Sequence, residues 1–162
     1  MSTSAWSIRI TLAEQRLELL QGGASFKSYA ISTSKNGPGE RAGSYQTPRG
    51  AHVIRAKIGA SAPLGAVFRG RRPTGEIYSE ELARAQPGRD WILTRILWLS
   101  GLEVGRNRLG DVDSMRRYIY IHGTPDSTKL GSPSSIGCVR MRNLAVVELF
   151  DLVPAGTRVE IA

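Results

Sequence analysis

Short alternating runs, broken by glycine and proline, constrain what this chain can fold into. Ser7-Ile8-Arg9-Ile10 and Arg16-Leu17-Glu18-Leu19-Leu20 carry apolar side chains at every second position, with the polar Ala13-Glu14-Gln15 between them. A period of two lines those side chains along one face of a strand, whereas a helix would scatter them around its axis. The pair reads as a hairpin, Gln21-Gly22-Gly23 as the next turn, and residues 26–32 as a third strand. With 18 glycines and 8 prolines in 162 residues, the chain is built for many turns rather than long helices. A mainly-β fold follows. It is expected as one domain over residues 1–162, since this length suits one core and no linker, repeat or low-complexity stretch divides it.

The remainder obeys the same grammar. Residues 34–45 are polar and glycine-rich, a loop long enough to be functional, and residues 51–55 resume a strand. On that strand His52 alternates with Val53, which predicts a surface or supporting histidine rather than a ligand. Residues 63–75, rich in glycine, proline and arginine, read as another loop. Ser79 before Glu80-Glu81 predicts one short capped helix that stops near Pro87-Gly88. Residues 91–99 are the most apolar run and read best as a central strand buried on both faces, although periodicity alone also permits a helix. Residues 101–114 form a charged connection and a candidate lid. Asn143 is placed to cap a second helix with Leu144, Val147 and Phe150 on one face; Val153-Pro154-Ala155-Gly156 ends it, and residues 157–161 make the last strand.

The net charge of +8, with 18 arginines among 22 basic residues, favours anionic partners. Nucleic acid is not the expected one: the basic residues are spread from Arg9 to Arg158, adjacent only at Arg71-Arg72 and Arg116-Arg117, without zinc-finger spacing or an aromatic RNA-binding run. One cysteine excludes an internal disulfide, and two histidines without metal-type spacing argue against a metal site. No cofactor is expected. The N-terminal residues lack an apolar signal core, and no stretch is long and apolar enough to insert into a membrane. With Met1 as the native start, a cytoplasmic monomer is expected.

The chemistry concentrates in residues 118–141, YIYIHGTPDSTKLGSPSSIGCVRM. They hold the lone cysteine, Cys138, and, sixteen positions earlier, His122. A thiol is a weak nucleophile until a neighbouring base takes its proton, and a neutral imidazole is the usual base. The run 117–121 reads as a strand that delivers His122 at its end, with Tyr118 and Tyr120 sharing one face. Gly123-Thr124-Pro125-Asp126 then breaks the strand, and Gly131-Ser132-Pro133-Ser134-Ser135 turns the chain back. Gly137 gives room for a substrate carbonyl, and the N–H groups of Gly137 and Cys138 are candidate oxyanion donors. The bland alternative is a small buried cysteine and a structural histidine.

His-Gly-Thr followed by Ser-x-Gly-Cys-Val-Arg-Met resembles the signature of the L,D-transpeptidase (YkuD-type) domain family. The Thr47-Pro48-Arg49-Gly50 segment and the C-terminal residues 153–161 resemble it too, so the likeness extends over nearly the whole chain. It implies a single-domain β-sandwich of mixed sheets with one or two short helices. It also implies Cys138 as nucleophile, His122 as general base, and peptidoglycan stem peptides or muropeptides as partners. With no carboxylate beside His122, the Gly123 carbonyl is expected to orient its ring. Arg140 is the candidate for the substrate carboxylate, against a structural salt bridge. Ser135 either donates to substrate or holds the loop, and Tyr120 either meets substrate or packs in the core. One position departs: Ile136 stands where the family commonly has histidine. The expected reaction is L,D-carboxypeptidase hydrolysis of a terminal D-Ala in cytosolic wall recycling. Transpeptidation, and a non-catalytic wall-fragment-binding module, are the alternatives.

Overall fold

The computed structural model describes residues 5–162; residues 1–4, on which part of the N-terminal reading rests, lie outside it. The chain opens with an antiparallel meander of β1 (Trp6–Thr11), β2 (Arg16–Gln21) and β3 (Ala24–Ala30). Ile8, Ile10, Leu17 and Leu19 are buried, as their alternation requires. There follow β4 (Gly50–Ile58), β5 (Ala66–Arg69), β6 (Arg72–Ile77), α1 (Glu80–Ala85) and β7 (Ile92–Gly101). After a 3₁₀ turn at Gly110–Val112 come β8 (Tyr120–Thr124), β9 (Val139–Arg142), α2 (Asn143–Leu152) and β10 (Arg158–Ile161).

All ten strands belong to one mixed sheet, ordered β3-β2-β1-β10-β4-β7-β5-β6, with β8 joining β7 and β9 joining β8. The β1–β10 and β8–β9 pairs are parallel. The sheet curls until its ends meet: Ser32, just past β3, donates its N–H to Arg140 O (3.0 Å) and accepts that of Arg140 (2.9 Å). Opposed strands therefore sandwich one core, which takes Ile8, Leu19, Leu97, Ile121, Val139 and Val159 from the sheet and Val146, Leu149 and Phe150 from α2. Each such side chain stabilises the fold by about 1.5–3 kcal/mol relative to exposure. The apolar run in β7 has a direct cause. That strand is central, paired by β4 and by β8, and its two faces enter separate apolar clusters: Leu97 and Leu99 join the main core, and Ile96 packs with Ala66, Phe68 and Tyr120.

Several expectations are corrected. Residues 63–75 are largely a β5–β6 hairpin rather than a loop. Its β6 strand is the outermost of the sheet and almost wholly solvated, so no apolar alternation marks it, and Pro73 is tolerated on a strand at the sheet edge. His52 is not at the surface. It is fully buried, with Nδ1–H donating to Gly50 O (3.0 Å), so Nε2 accepts from the Ser114 hydroxyl (2.8 Å). Residues 101–114 are anchored rather than free to close: buried Asn107 donates to Arg49 O (3.0 Å) and Ala51 O (3.1 Å) and accepts from Glu103 N–H (2.9 Å). The second helix starts directly out of β9, with Arg142 at its cap position and no side-chain capping bond. Its buried face is Val146, Leu149 and Phe150, which leaves Leu144 exposed. Asn143 instead accepts from the Thr94 hydroxyl (2.6 Å).

Candidate active site

Parallel pairing of β8 and β9 sets Ile121 opposite Val139 and His122 opposite Arg140. Because side chains alternate, Ile121, Val139 and Met141 enter the core, while Tyr120, His122, Cys138 and Arg140 share the other face. Cys138, one residue before β9, meets the Tyr120 N–H two positions before His122 on β8, and core burial fixes the register of the two strands. His122 lies in the middle of β8, not at its end: the strand begins at Tyr120 and continues through Gly123 and Thr124. Residues before it turn, with Tyr118 at a φ of 57° and exposed, so Tyr118 does not share the Tyr120 strand face.

The His122 ring is held by Nδ1, 2.6 Å from Gly123 O. A carbonyl can only accept, so Nδ1 carries the hydrogen and Nε2 presents a lone pair. That Nε2 is buried and has no hydrogen-bond partner among the described residues. Burial, the largest influence, lowers the imidazole below its ordinary value; Asp90 and the Gly123 contact oppose it. Gly123 is required for a local reason. A Cβ there would come within 2.3 Å of Asn143 Oδ1 and 2.7 Å of Leu93 O. Gly123→Ala is expected to destabilise the domain by about 1–3 kcal/mol through overpacking, and to lower activity by tilting His122. Urea unfolding followed alongside turnover checks both.

Cys138 retains some solvent contact, but its sulfur is closely surrounded: Sγ donates to Tyr118 O (3.3 Å) and accepts from Tyr120 N–H (3.4 Å). Burial pushes the thiol up to about 12; the Tyr120 N–H, Arg140 and Arg117 pull it down, and Asp90 adds to the rise. The resting pair is therefore neutral thiol and neutral imidazole.

The Gly137 N–H is not a free oxyanion donor, since it donates to Ser135 Oγ (3.2 Å). Ser135 in turn donates to Cys138 O (2.7 Å) and is buried, so its hydroxyl ties the turn before Cys138. Gly137, at a φ of 135°, is further fixed by the Thr47 hydroxyl on its carbonyl (2.9 Å). Among the described residues the Cys138 N–H has no partner and remains available to a developing oxyanion. Arg140 pairs with Asp90 (2.8 Å) and donates to Ser134 O (3.2 Å) and Oγ (3.1 Å). Tyr120 is buried, and its hydroxyl accepts from Arg71 (2.8 Å), whose guanidinium lies over the Trp98 and Tyr118 rings.

Two hollows are lined by residues close to Cys138 in the sequence, Arg140 and Ile136. One, of about 350 Å³, is lined by Arg140, Trp91, Thr124 and Thr128; the other, of about 280 Å³, by Ile136, Ile119, Tyr45 and Arg117. Sequence reasoning missed Asp90, 48 positions before Cys138, and Arg117, which donates to Gln46 O (2.6 Å) and so holds the loop facing Gly137. Neither has a local signature; the topology alone brings them in. Among the described residues no group of three or more His, Cys, Asp or Glu could hold a metal.

A family model described as the L,D-transpeptidase catalytic domain, YkuD, matches residues 5–161. The chain belongs to that family. It is similar to a protein named as the L,D-transpeptidase YkuD of Bacillus subtilis, 46% identical over 46 residues, 28% of each chain. It is similar, too, to one named as L,D-transpeptidase ErfK/SrfK of Escherichia coli, 49% identical over 45 residues, 28% of this chain and 14% of that one. Among solved structures, the L,D-transpeptidase of Xylanimonas cellulosilytica matches 99% of this chain at a TM-score of 0.56 and 21% identity. L,D-transpeptidase 3 of Mycobacterium tuberculosis matches 98% at 0.61 and 12%. The chain spans 62% and 61% of those two, which share with this L,D-transpeptidase domain its fold.

Proposed function

We propose that this L,D-transpeptidase-family domain acts as a cysteine L,D-carboxypeptidase, removing the terminal D-Ala of peptidoglycan tetrapeptides with water as acyl acceptor. The observation that carries the chemistry is the state of His122: its Nδ1–H is committed to Gly123 O, which leaves Nε2 as a base without a competing partner on β8, the strand whose Tyr120 N–H meets the Cys138 sulfur. The reaction begins when the S–H turns from Tyr118 O to the imidazole. Sulfur attacks the carbonyl of the L-centre while Nε2 takes the thiol proton, and the Cys138 N–H meets the oxyanion. Breaking the C–N bond passes that proton to the leaving amine and leaves a thioester. Water then attacks, His122 takes its proton, and the C–S bond breaks to restore the thiol.

Half-exposed Ile136 favours water. It offers no donor beside the thioester to hold or activate a bulky amine, whereas water needs only access. Transpeptidation is supported by the hollow of Tyr45, Arg117, Ile119 and Ile136, which is separate from the one Arg140 lines and has room for part of a second stem peptide. Mass spectrometry of purified protein with disaccharide-tetrapeptide, with and without a D-amino acid, is expected to show tripeptide and free D-Ala as the main products. Predominant dimer or exchange product overturns hydrolysis in favour of transfer. No turnover, together with no acylation of Cys138 by a carbapenem, overturns both in favour of a binding module.

A further inference from the structure

We propose that Asp90 and Arg140 form one subsite for a zwitterionic amino-acid end, with the ligand's carboxylate on Arg140 and its ammonium on Asp90. The proposal rests on the reading of this cleft as the substrate site and names what that site grips. The two side chains come from distant segments, the α1–β7 connection and β9, and meet at 2.8 Å beside His122. Neither is sealed: side-chain exposure is 17% for Arg140 and 34% for Asp90, and Arg140 opens onto the 350 Å³ hollow with Thr124, Thr128 and Trp91. The segment carrying Asp90 is braced on both sides of it. Arg89 donates to Glu76 Oε1 (2.8 Å) and lies over the Trp91 ring, which itself packs edge-on against Tyr78.

Charge conservation selects the ligand. A simple anion that takes Arg140 displaces Asp90 and strands its negative charge next to His122 and Cys138, groups on which Asp90 and Arg140 act in opposite senses. A simple cation on Asp90 strands Arg140 in the same way. A zwitterion replaces both halves of the existing pair at once and leaves the local charge unchanged, so neither half-buried partner loses its counter-ion. Arg140 is held in place for this exchange by Ser134, which occupies only its Nη1.

Titration of the ¹⁵N-labelled protein with D-alanine, N-acetyl-D-alanine and D-alaninamide, followed by NMR, tests this without requiring turnover. D-Alanine is expected to bind at least about tenfold more tightly than either blocked compound, the scale of one charge-assisted hydrogen bond. Asp90→Asn is expected to remove its advantage over N-acetyl-D-alanine, and Arg140→Gln its advantage over D-alaninamide. Equal affinities on the unaltered protein, no binding of D-alanine, or an unchanged preference in folded Asp90→Asn protein overturns the subsite. The ranking on the unaltered protein decides alone if a variant does not fold. Zwitterion selectivity in a protein that cleaves no stem peptide would sink the carboxypeptidase reading and leave this one standing; cleavage without selectivity would do the reverse.

Discussion

Cys138→Ala is expected to lower turnover on disaccharide-tetrapeptide by about 10³-fold or more, while the domain stays folded. In the proposed mechanism the sulfur forms the thioester, so its loss removes the covalent step rather than weakening it. Structurally little is lost. Sγ contributes two long contacts, to Tyr118 O at 3.3 Å and Tyr120 N–H at 3.4 Å, and deleting one small atom at a partly open site costs about 1 kcal/mol or less. A second readout guards the assignment. Because burial raises the thiol above its unfolded value, the folded state favours the neutral form. That contribution is fully present below the unfolded value of 9.0 and is lost as pH rises toward about 12. Cys138→Ala should therefore flatten the alkaline limb of the stability profile, measured by urea unfolding at stepped pH. Residual turnover near the wild-type rate would remove Cys138 from the mechanism.

How much of this was legible in the sequence depends on how local each cause is. The β1–β2–β3 meander, the Ser79 cap and β7 were all readable, because period-two burial, a capping hydroxyl bonded to Leu82 N–H and an apolar run are local consequences of local residues. The β5–β6 hairpin was not, since a solvated edge strand needs no apolar face and its sequence Arg72-Pro73-Thr74-Gly75 imitates a loop. Of the two readings of His52, surface or supporting, the sequence could not choose, because its partner, Ser114, arrives from 62 residues away. In the site, the Gly123 carbonyl on the His122 ring could be named in advance, for it belongs to the residue next to the histidine on the same strand. The Ser135 hydroxyl that consumes the Gly137 N–H, and the Asp90 carboxylate on Arg140, could not. The first turns on a side-chain rotamer, and the second on how the α1–β7 connection crosses the strand face.

The same logic predicts a large effect at His122, separable from the loss of sulfur. His122→Gln keeps a polar side chain on β8 but removes the base, so turnover should fall by about 10²–10⁴-fold while Cys138 remains present for slow alkylation. Iodoacetamide labelling near neutral pH should slow as well, because the imidazole is the base assigned to the thiol proton. Stability should respond in the opposite direction at acid pH. Burial lowers the imidazole below 6.5, so the folded state holds it neutral while the unfolded chain takes up a proton. The stabilisation from the neutral ring is present above pH 6.5 and is lost as pH falls toward its lowered folded value, at up to about 1.4 kcal/mol per pH unit. Without His122 that slope should shrink but not vanish, because buried His52, likewise lowered by burial, titrates in the same sense. A variant that keeps the wild-type labelling rate and acid slope would show that His122 is neither the base nor a buried neutral ring. Loss of turnover with a shallower acid limb would tie both properties to one unpartnered nitrogen, whose burial destabilises the fold in acid and keeps it free to accept the proton from Cys138.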